Sequence, residues 1–322
     1  MSIEQAIANV RGRLLRHAPM AEYVSWRAGG AADWLFEPAD VADLQQLLTE
    51  LPSEFPLMWV GLGSNLLVRD GGWHGMVIRS QPGLRAVRRV SINAERGEVY
   101  AEAGVALPKL ARFCAGEHLS GAAFMAGIPG TVGGALAMNA GCYGSETWQM
   151  VDRVTTIDRR GVLHERGREA FMTAYREVRR TDAAIETQSE TQSETQDEEG
   201  FVGAYFSLPV GDSSLEQQEM AALLRRRSAS QPLGQPNAGS VFRNPPGDHA
   251  ARLIEACGLK GQQAGGAQVS TKHANFIVNT GSASAADIEQ LIELVAQTVE
   301  RQTGVRLQRE VRIVGEKASC KT

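Results

Sequence analysis

Apolar residues along this chain follow two periods, and the changes between them predict where elements begin and end. At the start Ile3, Ile7, Val10 and Leu14 share a helical face behind Ser2, a capping residue, so the first seventeen positions predict an amphipathic helix. Tyr23 to Asp33 is an extended piece broken by Gly29-Gly30 and closed by Trp34-Leu35-Phe36. Asp40 caps a second helix whose Val41, Leu44, Leu47 and Leu48 lie on one side. The run from Leu57 to Val60 predicts a buried strand, which turns through Gly61-Leu62-Gly63-Ser64-Asn65 into apolar Leu66-Leu67-Val68. Strands are expected from Gly75 to Arg79, Gly97 to Glu102, Val151 to Ile157, Gly161 to His164 and Gly200 to Leu208, with a helix from Leu107 to Cys114. Ser213 or Ser214 opens a helix that runs through Leu224 and ends in Arg225-Arg226-Arg227. Asp248 caps a short helix stopped by Gly258, and Lys272 to Asn279 predicts a strand. Ser284 and Asp287 open a long helix with Ile288, Leu291, Ile292, Val295 and Val299 as its core face, and Gly304 ends it. A last strand carries Leu307, Glu310-Val311-Arg312 and Gly315-Glu316. A βαβ-like start, a β-rich middle and a compact α/β end imply an α+β fold, with two small layers clasping a cofactor.

One stretch obeys neither period. Gly121 to Ser145, GAAFMAGIPGTVGGALAMNAGCYGS, sets seven glycines among small apolar residues with scarcely any charge. Gly allows positive φ and close backbone approach, so amide N–H groups can face a bound phosphate, and a diphosphate is the natural guest. The other reading is a run of tight turns between buried segments. The Rossmann spacing is absent, since the glycines fall at 127, 130 and 133, and Gly61-Leu62-Gly63 is followed at the third place by Leu66. Ser64 and Asn65 could donate to a phosphate or ribose, but both are also ordinary turn residues.

Composition narrows the class. With 322 residues, 43% of them apolar, the chain can bury large cores in two or three domains. A formal charge of −4 gives no electrostatic footprint for nucleic acid, and no charge-free interval is long enough for a membrane span. The start lacks the apolar core of a signal peptide. Cys114, Cys142, Cys257 and Cys320 are far apart with no C-x-x-C spacing, which favours reduced thiols in a cytoplasmic protein over a zinc site or a disulfide framework. Glu186 to Gly200, ETQSETQSETQDEEG, carries almost no apolar side chain and is expected to be a solvated loop inserted between two strands of one domain. The three arginines at 225–227 either complement a helix dipole or belong to a site.

Five motifs stand in order: Gly61 to Val68, Ala126-Gly127-Ile128-Pro129-Gly130-Thr131-Val132-Gly133-Gly134-Ala135, Met138-Asn139-Ala140-Gly141, Pro236-Asn237-Ala238-Gly239-Ser240-Val241-Phe242, and Glu310-Val311-Arg312. Together they resemble the UDP-N-acetylenolpyruvoylglucosamine reductase family from about Tyr23 to Glu316, and Lys272-His273-Ala274-Asn275 resembles its shorter, second type. The resemblance implies a two-subdomain FAD-binding fold of the vanillyl-alcohol-oxidase or para-cresol-methylhydroxylase type, over 1–80 and 81–212, with a C-terminal substrate domain over 213–322. It implies noncovalent FAD, NADPH as co-substrate and UDP-N-acetylglucosamine enolpyruvate as substrate, the two substrates taking turns in one cleft. Gly61, Gly63, Ser64, Asn65, Leu66, Gly127, Ile128, Pro129, Gly130, Thr131, Gly133, Gly134, Asn139 and Ala140 would then hold the cofactor.

In that family Ser240 matches the general acid that protonates C2 after hydride reaches C3, Arg176 the arginine facing the substrate carboxylate, and Glu310 the glutamate near the last strand. The family's Tyr-Arg-x-Ser-aromatic pattern is broken here by Glu177, Val178, Arg179 and Arg180, which makes Arg179 the alternative to Arg176. Arg227, Asn244, Lys272, His273 and Asn275 are candidates for the nucleotide sugar by position. Two other readings compete: a flavin oxidase of the same broad fold acting on a sugar or alcohol, and a catalytically silent nucleotide-binding module, against which the intact glycines argue.

Overall fold

The computed structural model describes residues 3–181 and 199–318. At the start the expected long helix is only α1, Ile3–Ala6; β1, Arg13–Pro19, takes in Leu14, and the proposed Ser2 cap lies outside the described residues. The reason is Gly12, where a side chain would collide with the Glu37 carbonyl. The amides of Arg11 and Gly12 both donate to the Asp43 carboxylate, at 2.7 and 2.8 Å, so the backbone is tied down before a helix can continue. β2 spans Ala31–Glu37 and leads to α2, Val41–Glu50, where Asp40 caps as expected by accepting the Asp43 N–H at 2.8 Å. Leu44, Leu47 and Leu48 are its buried face. β3, Leu57–Val60, β4, Leu66–Val68, and β5, Trp73–Arg79, follow. One sheet has the order β1-β2-β5-β3, with β3 and β5 parallel.

The middle of the chain contains β6, Val87–Ile92, β7, Arg96–Glu102, and α3, Leu107–Gly116. After a 3-10 turn over Ala123–Gly127 come α4, Val132–Met138, and the short pair β8, Gly141–Cys142, and β9, Ser145–Glu146. β10, Val151–Asp158, β11, Leu163–Gly167, β12, Phe171–Ala174, β13, Glu177–Arg180, and β14, Glu199–Pro209, complete it. β11-β10-β14-β7-β6 form an antiparallel sheet. α3 covers it with Leu107, Leu110, Ala111 and Cys114 against Val99, Val154, Ala204 and Phe206, and burial pushes the Cys114 thiol up to about 12. The acidic tract is bracketed by β13 and β14 as expected, although positions 186–198 lie outside the described residues. Its last two residues are not loop but strand. Glu199 accepts from Thr156 and Arg180, both at 2.6 Å, and from Arg166. Burial opposes its charge, but these donors outweigh burial and hold its carboxyl below the usual range.

The last third begins with α5, Ser213–Ser230, which continues past Leu224 because no helix breaker intervenes before Pro232. α6, Ala250–Ala256, β15, Gln263–Ala264, β16, Ala267–Val269, β17, Ile277–Asn279, α7, Ala285–Thr303, and β18, Arg312–Val314, follow. Only the last three residues of the predicted 272–279 strand are strand. Asp248 does not cap α6: His249 holds that position, and the Asn244 side chain accepts the Ala250 N–H at 3.1 Å. α7 opens with the expected reciprocal bonds between Ser284 and Asp287 and ends at Gly304 with φ 73°. β15-β16-β17 form a sheet, and β18 pairs in parallel with β4.

Contacts gather the chain into two compact units. One contains Met1–Leu15, Leu35–Gly61 and Met76–Leu224; the other contains Arg16–Trp34, Leu62–Gly75 and Arg225–Thr322. These cut the chain differently from the contiguous spans 1–80, 81–212 and 213–322, because residues 16–34 and 62–75 belong with the C-terminal hundred. The shared core explains it: Trp26, Ala28 and Leu67 pack with Ile277, Ile288, Leu291 and Val311.

Candidate active site

In the first unit the glycine-rich stretch resolves into packing glycines and surface glycines. Thr131 is buried and caps α4, its hydroxyl accepting the Gly134 N–H at 3.4 Å. The Val132 and Gly133 amides donate to the carbonyls of Val105 and Ala103, at 2.9 and 2.8 Å. The first turn of α4 therefore spends these donors inside the unit. Gly61 allows the close approach of Thr131, whose hydroxyl a Cβ there would strike, and a Cβ at Gly133 would lie 3.0 Å from that of Ala103. Gly127 is buried, Ile128 and Gly130 are half-buried, and Pro129 and Gly134 are exposed. A methyl at Gly134 would meet nothing nearer than 3.7 Å. What remains outward on this uncharged stretch is Pro129 and Gly134, with Ile128 and Gly130 half-buried.

Asn139 ends α4 in the left-handed conformation, φ 40°, and is 2% exposed. Its amide donates to Glu146 Oε2 at 2.8 Å and to the Ala174 carbonyl at 3.1 Å, while Oδ1 accepts the Trp148 N–H at 3.2 Å. The next carbonyl, of Ala140, accepts the Thr147 hydroxyl at 2.7 Å. Asn139 thus ties the M-N-A-G turn to the β12–β13 hairpin. Pairing of Ala174 with Glu177 leaves Tyr175 and Arg176 as a two-residue tip, with Arg176 at φ 58°. Its Nη2 donates to the Gly141 carbonyl at 3.2 Å, and its guanidinium lies 5.6 Å over the Tyr175 ring. Arg179 is 70% exposed and ion-paired with Glu177 at 2.5 Å. Arg176, rather than Arg179, is the arginine brought to the glycine-rich turns.

In the second unit Gly63 turns with φ 67°, and its carbonyl accepts the Ser25 N–H at 3.0 Å. The Ser25 hydroxyl is buried with no hydrogen-bond partner, leaving a polar group beside the turn that would suit a cofactor's polar chain. Ser64 is half-buried, and Leu66 is buried in β4. Asn65 donates to the Glu310 carbonyl at 3.1 Å, and its own carbonyl accepts the Arg312 N–H at 3.0 Å. Asn65 therefore anchors the segment carrying Glu310.

Ser240 follows Gly239, φ 75°, in a half-buried turn. The Val241 carbonyl accepts the Glu310 N–H at 2.8 Å, which sets Ser240 and the 9%-exposed Glu310 on directly bonded segments. Asn237, which the sequence did not single out, accepts the Gly239 N–H at 3.0 Å and donates to the carbonyls of Gln235 and Pro232. An Asn two places before a Gly was the legible trace of that turn. Asn275 is 3% exposed and holds Phe242. Arg227 donates to Gln231 at 2.9 Å and Lys272 to the Ser228 carbonyl at 2.6 Å, which gathers both at the C-terminal end of α5. Asn244 caps α6. The His273 ring meets Phe276 edge-on at 4.7 Å with Nδ1 buried and unpartnered; burial first, then the charge of Lys260, hold its pKa below the ordinary value.

Among the described residues no group of three or more His, Cys, Asp or Glu could hold a metal ion, and no helix is long and apolar enough to cross a membrane.

Residues 32–167 match the family model for an FAD binding domain, and residues 231–314 that for the C-terminal domain of UDP-N-acetylenolpyruvoylglucosamine reductase. The reductase of Thiobacillus denitrificans is 54% identical over 96% of this chain and 94% of its own length. That of Alkalilimnicola ehrlichii is 54% identical over 96% and 97%. The crystal structure of the reductase from Thermus caldophilus superposes with a TM-score of 0.73 at 28% identity, covering 94% of this chain and 98% of that one. Two domain matches in the right order and half-identical relatives along nearly the whole chain lead to one conclusion: the chain belongs to the UDP-N-acetylenolpyruvoylglucosamine reductase family of FAD-dependent oxidoreductases.

Proposed function

We propose that this protein reduces UDP-N-acetylglucosamine enolpyruvate to UDP-N-acetylmuramate with NADPH, in the supply of peptidoglycan precursors. The observation that carries the reading is the direct bond between the Ser240 and Glu310 segments, with Glu310 nearly buried. An oxidase of similar fold has no use for such a pair.

FAD would be held noncovalently, with Gly127–Gly134 as the segment of the first unit that takes part. When bound, it supplies to C3 of the enol ether the hydride that NADPH provides. The Ser240 hydroxyl then gives its proton to C2, so the carbon–carbon double bond becomes single with no group lost. A hydroxyl is a weak acid, so its donation depends on position and on neighbours that offset the charge left behind. The Arg176 guanidinium matches a carboxylate in two-point geometry and stabilises the charge that builds on the substrate carboxylate during reduction. Glu310 hydrogen-bonds the same intermediate. Arg227 and Lys272, with His273 next to Lys272 in sequence, would meet the nucleotide sugar; a neutral His273 adds a polar contact without a further charge. NADPH and nucleotide sugars are both cytoplasmic metabolites, and the proposed place of action is the cytoplasm.

The test is an anaerobic titration that follows flavin absorbance. NADPH should bleach the flavin, and the enolpyruvyl nucleotide should restore it with one product formed per flavin. Recovery with oxygen alone would reject the proposal in favour of an oxidase.

A further inference from the structure

Sequence position made Asn275 a candidate substrate contact, but both ends of its side chain are already engaged. Oδ1 accepts the Phe242 N–H at 3.0 Å, and Nδ2 donates to the Phe242 carbonyl at 2.8 Å. The Asn275 main-chain carbonyl accepts the Val241 N–H at 2.9 Å. One residue thus mimics a neighbouring strand for the two residues after Ser240. On the far side the Val241 carbonyl takes the Glu310 N–H, and the Arg243 N–H donates to the Gln308 carbonyl at 2.9 Å. Upstream, Asn237 fixes the Gly239 amide. Ser240 stands between two clamped stretches.

We infer that Asn275 is a positioning residue for proton delivery by Ser240, a role that rests on the function proposed above. The physical reason is the demand on the acid. A serine hydroxyl has little intrinsic tendency to give up a proton, so its rate depends on fixed geometry, and a misplacement of about 1 Å can cost about a hundredfold. Gly239 at φ 75° makes the turn before Ser240 permissive, since a glycine loses the most backbone freedom on ordering. Asn237 restrains that turn through a single bond to the Gly239 amide, whereas on the other side Asn275 supplies three bonds to two consecutive residues. Only a side-chain amide offers a donor and an acceptor together at this reach; Asp lacks the donor and Leu lacks both.

The experiment is a double-mutant cycle on the holoenzyme, with flavin bleaching and recovery measured separately by stopped flow. Asn275→Ala should retain FAD, bleach with NADPH within twofold of the parent and bind the enolpyruvyl nucleotide within twofold. Recovery should slow by about 10- to 100-fold, with a larger solvent deuterium effect as proton delivery becomes limiting. In a Ser240→Ala background the same substitution should change recovery less than twofold, because a group acting only through Ser240 has nothing left to act on. Multiplicative losses in the double variant, an equal loss in both half-reactions, or weaker nucleotide binding with recovery unchanged would each overturn the inference. If Asn275→Ala fails to hold FAD, Asn275→Asp, which keeps the acceptor for the Phe242 N–H, goes through the same cycle, and loss of FAD there too would make Asn275 scaffold and overturn the inference. If Ser240→Ala alone recovers at the parent rate, it is the proposed acid that fails, and the two failures are distinct.

Discussion

Two arginines three positions apart differ in every property that matters. Arg176 sits at a hairpin tip with φ 58°, a conformation that costs a non-glycine residue about 1–2 kcal/mol, whereas Arg179 is exposed on a strand beside Glu177. The bond of Arg176 to the Gly141 carbonyl directs its side chain toward the glycine-rich turns, and the proposal above gives it the substrate carboxylate. Arg176→Ala should therefore slow flavin recovery about 10- to 1000-fold while NADPH bleaching persists, and Arg179→Ala should alter either step less than twofold. Stopped-flow measurement of the two variants decides between the residues. Ser240→Ala should lose about 10²- to 10⁴-fold in recovery alone. The sequence pointed to Ser240 through a short pattern dense in Gly and Asn, and to Glu310 only through the Glu-Val-Arg resemblance near the last strand. The side chains of Asn65, Asn139 and Asn275 bond to neighbouring protein groups, which was not legible, because an Asn in a motif could face a ligand or the backbone and sequence does not reveal which way an amide points.

Besides its apolar face, helix α7 is held by one charge pair. Arg69 forks onto Glu289 with two bonds of 2.9 Å and also donates to the Gly315 carbonyl at 3.1 Å, tying the helix to the chain after β4 and β18. The Arg69 hydrogen bonds, more than offsetting burial, lower the Glu289 pKa. An unfolded Glu titrates near about 4.3, so the folded carboxyl, titrating lower, contributes its full stabilisation above that pH. The contribution is lost as pH falls through the folded value. Glu289→Ala should cost about 2 kcal/mol at neutral pH and flatten the acid limb of stability below about pH 4.3, as thermal unfolding in acid would reveal. Elements such as α2 and α7 were plain from period and caps. β6 was not, since Arg88 to Ile92 are all exposed and an edge strand need not alternate. The first helix was overread because a few apolar residues at helical spacing carry no information about the partner that Gly12 must approach.

The acidic tract and the glutamate at its end behave as separate things on the scale of the whole chain. Deleting 186–198 should leave both half-reactions within twofold, whereas extending the cut through Glu199 should lower the melting temperature by several degrees, since Arg166 and Arg180 lose their shared carboxylate. A scanning-calorimetry comparison of the two deletions tests this. The second unit is the part least visible from sequence, because it is assembled from three separated segments and periodicity reports only what lies nearby. Asn65 and Glu310, bonded through the Asn65 side chain, are 245 positions apart, and β4 finds β18 at almost the same remove. During synthesis at about 5–20 residues per second, β4 therefore emerges roughly 10–50 s before its partner exists. Nascent Leu66, Leu67 and Val68 must wait through that interval as an apolar segment without a mate, so the second unit can close only after nearly the whole chain has left the ribosome.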